Sequence, residues 1–334
     1  MQKGLVSLLT PCYNTGHLIH RLLDSVLAQT YPYIEMFVID DGSTDNLEQI
    51  IKKYIPRFEE KGYSLSYHYQ ENGGQSVAIK NGLQLINGEF LAWPDSDDFY
   101  ASSEAIAKMV DRLANASSEF AMVRTMERFV DENTLEELFV VGQNAKEEEC
   151  ETLFEDCLFA NNGFFWGAGA YMLRVPILKE ITDYDIYVEK HAGQNWQLFL
   201  PILYSYKCLT IKEVLYSVLQ RKQSHGRGGY AGYERLLLRI QVYERTILET
   251  LDRIYLMSDE QRECYKLLIQ KKYNMERFFL AYKNRKRYDV VMSFNWWKEN
   301  RVAISKINII RYYVTKLRLE FMLDFCLKLY HKLL

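Results

Sequence analysis

Trp93-Pro94-Asp95-Ser96-Asp97-Asp98 follows Glu89-Phe90-Leu91-Ala92, and the reading of these ten residues decides the fold. The apolar run reads as a short buried strand that ends in three carboxylates within four residues. Carboxylates this close repel each other unless something positive sits between them. A hard divalent cation is the natural candidate, because Mg²⁺ and Mn²⁺ prefer carboxylate and phosphate oxygens, and such a cation also holds a diphosphate. The plainer reading is a solvated turn that caps the next helix, since Asp and Ser are ordinary turn and cap residues.

Working outward, the residues before the cluster alternate between strand and helix patterns. Leu5 to Thr10 is strand-like and is expected to stop at Pro11, where Cys12-Tyr13-Asn14-Thr15-Gly16 supplies a turn. Leu18, Leu22 and Val26, with Leu23 and Leu27, recur at helical spacing, and the helix should close before Tyr31-Pro32. Glu35 to Ile39 is a second strand ending at Asp40-Asp41, and Ser43 or Thr44 is expected to cap the helix through Leu47, Ile50, Ile51 and Tyr54. Leu65 to Tyr69 is a third strand, Asn72-Gly73-Gly74-Gln75-Ser76 a loop, and Val77 to Ile86 a helix.

Alternating strands and helices imply a doubly wound α/β fold with a mostly parallel, Rossmann-like sheet flanked by helices. Ligands bind such sheets beyond the carboxyl ends of the strands. The residues at those ends are Thr10-Pro11-Cys12-Tyr13, Asp40-Asp41, Asn72-Gly73-Gly74 and Asp95-Ser96-Asp97-Asp98. A Tyr face stacks on a nucleobase, an Asp accepts from a base or a ribose, and Gly allows close backbone approach. A dinucleotide site would need Gly-x-Gly-x-x-Gly after the first strand, where only Gly16 is found, and there is no phosphate loop ending in Gly-Lys-Ser/Thr.

Over residues 5–100 the chain resembles the inverting glycosyltransferases of family 2, which have the GT-A fold. The segments that carry the resemblance are VSLLTPCYN, SVLAQTYPYIEMFVIDDGSTD and ENGGQSVAIKNGLQLINGEFLAWPDSDD. The resemblance implies a nucleotide-diphospho-sugar donor, with uridine as the base, and Mn²⁺ or Mg²⁺ as cofactor. It assigns Thr10, Pro11 and Tyr13 to the nucleobase side, Asp41 to reading the base with Asp40 beside it, and Asp95 to the ribose side. Ser96 lies between Asp95 and the metal-binding Asp97. Gly74, Gln75 and Lys80 fall in the segment lining the donor pocket; Lys80 equally fits a surface helix lysine.

Residues 111–230 then form the acceptor half of a domain spanning 1–230, and 1–110 its nucleotide-sugar half. Phe120 to Val123 reads as a strand, and Glu147-Glu148-Glu149 as a solvated face. Asn162 to Tyr171 mixes glycines with aromatics, either as core packing or, with Trp166, as a platform for sugar rings. The family carries a Glu-Asp pair at the start of a following helix, one member being the general base. This chain has Gln194-Asn195 there, and amides do not take up a proton at neutral pH. The catalytic candidates are therefore Glu189, His191 and Asn195, with Asp185 behind them, and Gln194 and Trp196 join Trp166 on the acceptor side. Leu209 to Leu219 carries partly alternating apolar residues. In the glycine-rich loop that follows, Arg221, Lys222 and Arg227 would neutralise phosphate and His225 would reach the metal or the acceptor, or the stretch is a linker to the last region.

Composition bounds these readings. Of 334 residues, 48% are apolar and 25% charged, the mixture of a globular protein. No run of eighteen apolar residues or signal-peptide pattern is found, and six Cys without paired spacing read as cytoplasmic thiols. Net charge is unevenly distributed. Residues 1–110 hold 8 basic against 14 acidic residues, 111–230 hold 12 against 18, and 231–334 hold 21 against 12. Residues 231–334 read as a C-terminal helical region, ending in the basic and aromatic INIIRYYVTKLRLEFMLDFCLKLYHKLL. That stretch suits the inner face of an anionic membrane as a peripheral contact, or docking on a second subunit as a homodimer. Nucleic acid is not the expected partner.

The expected activity is metal-dependent, inverting transfer of a hexose-type sugar to a glycan or lipid-linked acceptor in cell-surface polysaccharide synthesis. Two rivals come from other classes. One is a non-catalytic sugar-nucleotide or glycan-binding protein, suggested by the amides at Gln194-Asn195. The other is a nucleotidyltransferase, which shares the acidic pair and the sheet but would need a glycine-rich triphosphate loop.

Overall fold

In the computed structural model, which describes residues 1–144, 153–221 and 232–319, the first apolar run becomes β1 (Gln2–Cys12), buried at every position from Leu5 onward. Burial on both faces is the mark of a strand enclosed by helices, and it explains why the run is continuous rather than alternating. Next come α1 (His20–Leu27), β2 (Ile34–Asp41), α2 (Leu47–Lys61), β3 (Ser64–Gln70), α3 (Gln75–Leu83) and β4 (Gly88–Ala92). β1 pairs in parallel with β2 on one side and β4 on the other, and β3 extends the sheet beyond β2. The chain thus winds outward to β3 and crosses back to the far side of β1, which opens a crevice between the carboxyl ends of β1 and β4.

The sheet continues through elements whose pairing is not sequential. β5 (Phe99–Tyr100), α4 (Ala105–Ala114), β6 (Phe120–Asp131), β7 (Glu137–Val141), α5 (Phe154–Phe159), β8 (Tyr171–Arg174), α6 (Val175–Thr182), α7 (Asn195–Ser205) and β9 (Lys207–Gln220) follow in that order. Short β8 lies antiparallel between β4 and β6, β9 runs parallel to β6, and β5 and β7 pair antiparallel with β9 and β6. The sheet order is β3-β2-β1-β4-β8-β6-β9-β5, with β7 off β6. The mostly parallel α/β sheet expected from the sequence is therefore present, with one reversed strand in its middle.

Two local expectations are corrected. The first strand does not stop at Pro11: Pro11 pairs with Ile39 and Cys12 with Asp40, so the ladder runs two residues further. Proline lacks one ladder donor, but its fixed φ suits extended backbone, and it sits near the strand end where little pairing follows. Ser43 and Thr44 do not cap α2, whose cap residue is Asn46 with no side-chain cap bond. Ser43 Oγ instead accepts the Asn14 N–H at 2.8 Å, and Asn14 Oδ1 accepts the Thr44 N–H at 2.8 Å, stitching the two loops together.

The described contacts divide the chain into two units, Met1–Ser224 with Glu249–Ser258, and His225–Leu248 with Asp259–Leu334. The second unit is helical, with α8 (Tyr233–Asp252), α9 (Asp259–Lys283), α10 (Arg287–Glu299) and α11 (Lys306–Lys316). Only the first part of α8 belongs to it. Its core joins Phe278, Val290, Phe294, Trp297 and Tyr312, with the Phe294 and Tyr312 rings stacked at 3.8 Å. On α11, Ile307, Ile310, Tyr313 and Leu317 are exposed while Asn308, Tyr312 and Thr315 are buried. Among the described residues no helix is long and apolar enough to cross a membrane.

At the amino ends of the strands, Glu35 is 7% exposed. Its carboxylate accepts from Ser7 Oγ at 2.6 Å, the Asn87 N–H at 2.6 Å and the Gly88 N–H at 3.1 Å. It therefore ties β1 and β2 to the entry of β4. Replacing Glu35 by Ala removes the acceptor of the Ser7 hydroxyl and of the Asn87 N–H, while the Gly88 N–H keeps Ser7 Oγ at 2.9 Å, and should cost about 1–3 kcal/mol of stability, read as a lower urea midpoint. An unchanged midpoint would show that the tie is dispensable.

Candidate active site

Two strand ends and their loops build the first wall. Thr10 and Pro11 are buried at the end of β1, while Tyr13 is 52% exposed. Asp40, the next-to-last residue of β2, accepts from the Ser43 N–H at 2.7 Å and the Tyr67 hydroxyl at 2.6 Å. Burial and the Asp40 carboxylate push the Tyr67 hydroxyl above its ordinary range. Asp41 takes four donors: Gln70 Nε2 and the Gly73 N–H on one oxygen, Asn72 Nδ2 and the Gly74 N–H on the other, at 2.8–3.1 Å. A carboxylate has about four acceptor positions, so Asp41 is engaged in shaping the loop from Gln70 to Gly74.

That loop is pressed against the second wall. Gly74 has φ +97°, and a Cβ there would fall 2.3 Å from the Lys190 carbonyl oxygen, so only glycine fits. Ser76 Oγ donates to the Glu189 carbonyl at 3.0 Å and accepts the Glu189 N–H at 2.9 Å. The segment from Glu189 to Gln194 is thereby laid over the start of α3. The Glu189 carboxylate accepts from the Tyr187 hydroxyl at 3.2 Å, and His191 is exposed. The Lys80 ammonium lies 2.5 Å from Asp185 Oδ1, and this pairing holds the Asp185 carboxyl below its usual range. Lys80 and Asp185 thus meet each other on the surface rather than at the acidic cluster.

The acidic cluster lies between these walls. Asp95 Oδ1 accepts from Gln75 Nε2 at 2.8 Å and from Gln194 Nε2 at 3.4 Å, the second a marginal bond. Burial and then the Asp97 charge push the Asp95 carboxyl up to about 7. Asp97 is ion-paired with Arg221, the residue after β9, both side chains being about one-fifth exposed. Asp98 accepts the Leu219 N–H at 2.8 Å, and burial with the neighbouring carboxylates holds it well above the carboxylate range. Ser96 is buried beside the Cys12 thiol, which burial pushes up.

The amides found where an acidic pair was looked for both have partners. Gln194, 2% exposed, sits at the start of α7 and faces Asp95. Asn195 accepts from Trp93 Nε1 at 3.2 Å and donates to the Trp166 carbonyl at 3.0 Å. The Trp166 and Trp196 rings meet edge to face at 5.1 Å, and Trp196 Nε1 donates to the Cys157 carbonyl at 2.9 Å. Trp166, Asn195 and Trp196 are therefore joined by a hydrogen bond and a ring contact, next to Gln194, which faces Asp95.

Sequence reasoning missed two contacts that hold the cluster, Arg221 with Asp97 and Leu219 with Asp98. The basic character of Arg221 was visible, but nothing local marks which strand returns to Asp97. Among the described residues, no three His, Cys, Asp or Glu side chains converge as a metal-holding group. His225, Lys222 and Arg227 lie outside the described residues, as do Glu147, Glu148 and Glu149.

The Glycosyl transferase family 2 profile matches residues 7–181. An uncharacterized glycosyltransferase of Rickettsia typhi is 40% identical over 96 residues, 29% of this chain and 28% of that protein. The Bacillus subtilis glycosyltransferase TuaG, whose name assigns it to teichuronic acid biosynthesis, is 33% identical over 119 residues, 36% of this chain and 46% of TuaG. The chain thus spans less than half the length of either relative. Among solved structures, Staphylococcus aureus TarS (residues 1–349) superposes with a TM-score of 0.53 at 17% identity, covering 95% of this chain and 91% of that one. The mannosyltransferase PcManGT of Pyrobaculum calidifontis, in complex with GDP-Man and Mn²⁺, does so with a TM-score of 0.53 at 14% identity, covering 94% and 85%. These structures share the fold, and the expected GT-A architecture with its C-terminal helices is present.

The raised Asp95 carboxyl sets a pH dependence. Its value of about 7 in the folded protein lies above the ordinary 3.8, so the folded state holds the proton more tightly than the unfolded state. That stabilisation is fully present below about pH 4 and is lost as pH rises through about 7. Asp95→Asn should therefore melt higher than the wild type above about pH 7 in chelator-treated buffer, with the gap closing in acid. Parallel melting curves across that range would refute the raised value.

Proposed function

The chain belongs to glycosyltransferase family 2, and on that premise we propose that it moves a sugar from a nucleotide-diphospho-sugar to a hydroxyl of a glycan or lipid-linked acceptor. The observation that carries the reading is the meeting of Tyr13, Asp40, Asp41, the Gly73-Gly74 loop and Asp95-Ser96-Asp97 at the carboxyl ends of four parallel strands. We place the nucleoside against Thr10, Pro11 and Tyr13 and the ribose beside Asp95, with uridine as the base. The complex of TarS with UDP-GlcNAc supports that choice by likeness of fold. Cell-surface polysaccharide assembly is the proposed setting, supported by the name of TuaG. In this reading residues 1–110 are the donor half and 111–230 the acceptor half of one catalytic domain.

The residues fit a divalent cation held partly by the substrate. The Asp97 charge raises Asp95, and among the described residues Arg221 is the ion-pair partner of Asp97. Mg²⁺ and Mn²⁺ are commonly bound by one or two carboxylates plus substrate phosphates, without an all-protein cage. Asp97, with Asp95 beside it, would hold the cation, which would supply positive charge to the diphosphate leaving group.

The protein's own groups do the rest. Asp98, which accepts the Leu219 N–H, fixes the loop that brings Asp97 to Arg221 at the end of β9. Arg221, which pairs with Asp97, would add positive charge on the phosphate side. The Glu189 carboxylate, oriented by the Tyr187 hydroxyl, takes the proton of the acceptor hydroxyl, which attacks the anomeric carbon from the face opposite the diphosphate and inverts it. Trp166 and Trp196 offer aromatic faces to the acceptor. The exposed apolar side of α11, flanked by Lys306, Lys316 and Arg318, supports peripheral contact with an anionic membrane.

A second reading, a sugar-nucleotide-binding protein without catalysis, is favoured by one observation: both amides at Gln194-Asn195 are engaged in holding the site rather than in proton transfer. Two measurements decide. Calorimetric titration with UDP should show binding that needs Mn²⁺ in the wild type and is lost in Asp97→Ala; metal-independent, unaltered binding in the variant would remove the metal role. Glu189→Gln should slow sugar transfer by roughly 10²–10⁴-fold with UDP affinity kept. Full turnover in that variant would place the base elsewhere.

A further inference from the structure

Two buried tyrosines meet where β5 pairs with β9. Tyr100 stands two residues after Asp98 and is the register partner of Tyr216, their rings meeting edge to face at 5.6 Å. On its other side Tyr216 pairs with Glu127 of β6. Its side chain is fully buried, and the buried turn Ala168–Ala170 packs on β4, β6 and β9 there. A Cβ on Gly169 would overlap the Cε2, Cζ and hydroxyl atoms of Tyr216, so the turn closes directly over the hydroxyl end of that ring. Among the described residues neither the Tyr100 nor the Tyr216 hydroxyl has a hydrogen-bond partner. A buried hydroxyl left unmet costs stability, and two of them beside a candidate site need a reason.

The two hydroxyls differ in what they face. Burial alone pushes the Tyr100 hydroxyl above its ordinary range. For Tyr216 burial again comes first, but Asp98, Asp95, Tyr100 and Asp97 follow it, so this hydroxyl lies toward all three carboxylates of the cluster. It keeps its proton at neutral pH and is therefore an O–H donor, whereas an ionised carboxylate only accepts. The other groups that reach the cluster already donate: Gln75 and Gln194 to Asp95, Arg221 to Asp97 and the Leu219 N–H to Asp98. Tyr216 brings one more donor, from β9, the strand that also carries Leu219.

We propose that Tyr216 is a positioning residue of the donor site, whose hydroxyl donates to the carboxylates of the Asp95–Asp98 loop when a divalent cation and a nucleoside diphosphate are bound. Asp95, Asp97 and Asp98 sit on one short loop, so a carboxylate drawn toward a cation moves the others with it. Tyr216 is the buried group placed to hold the loop in that position. Its hydroxyl lowers the stability of the free protein and gains its bond on binding. Tyr100 shares the burial and the unmet hydroxyl but faces no carboxylate, which makes it the internal comparison. The inference rests on the donor reading above.

The test uses the full chain as wild type, Tyr216→Phe and Tyr100→Phe. Melting curves are taken in chelator-treated buffer, and UDP in Mn²⁺, then Mn²⁺ alone, are titrated by calorimetry. Both variants remove an unmet buried hydroxyl and keep the ring, so both should melt about 2–4 °C higher than the wild type. Tyr216→Phe should bind UDP in Mn²⁺ about tenfold more weakly, as expected for one lost hydrogen bond to a charged group, while Tyr100→Phe binds as the wild type does. Higher stability with weaker binding is what a merely structural hydroxyl does not give. Unaltered UDP affinity in Tyr216→Phe overturns the proposal, as do equal weakening in both variants and a lower melting temperature of Tyr216→Phe. A wild type that binds Mn²⁺ but no UDP overturns the donor reading instead, and the tenfold loss is then read on Mn²⁺ alone. Binding of neither overturns both.

Discussion

Two of the three carboxylates at the end of β4 are held by another strand that returns to meet them. Asp97 and Asp98 are bound by Arg221 and the Leu219 N–H, two residues apart at the end of β9, which is more than 120 positions away in sequence. Bringing β9 there requires β6 beside it in parallel and β8 reversed against β4. The arrangement of the second half of the sheet is thus tied to the electrostatics of four residues in the first half. Burial raises the cost of charge, and Asp95 and Asp98 respond by holding protons more tightly than exposed carboxyls do. The cluster is a place where added positive charge is strongly favoured.

The first four strands and their helices were legible because each is a local pattern. A fully buried parallel strand reads as an unbroken apolar run, and β1, β2 and β4 are such runs. Their carboxyl ends could be named from sequence because a parallel sheet puts them all on one side. What was not legible is pairwise and non-local. No sequence pattern says that Asp41 would close the loop to Gly74, that Lys80 would meet Asp185, or that Asn14 would use the Ser43 and Thr44 expected to cap a helix. In each case a polar side chain had two acceptable partners, and tertiary proximity chose.

The amides at Gln194-Asn195 show the same limit at the centre of the candidate site. From sequence they are a substitution that removes a base. In the fold they are donors and acceptors with specific tasks: Gln194 turns an N–H toward Asp95, and Asn195 bridges Trp93 and Trp166. A carboxylate at 194 would face Asp95 directly and add to the repulsion that already raises it. A carboxylate at 195 would lose the donor that reaches the Trp166 carbonyl. The local electrostatics therefore favour amides beside the raised Asp95 carboxyl.

The segment over residues 187–194 is held by backbone on one side and by side chains on the other, which divides its freedom. Its contact with the donor loop is rigid, because Gly74 admits no side chain beneath Lys190 and Ser76 makes two bonds to the Glu189 backbone. On its other side Tyr187 donates to the Glu189 carboxylate and stands beside Arg253, and Asp185 pairs with Lys80 at the surface. Substitutions on the inner side disturb backbone packing and with it the donor loop. Substitution of Tyr187 on the outer side removes the hydroxyl that orients the Glu189 carboxylate while the backbone bonds to Ser76 stay in place.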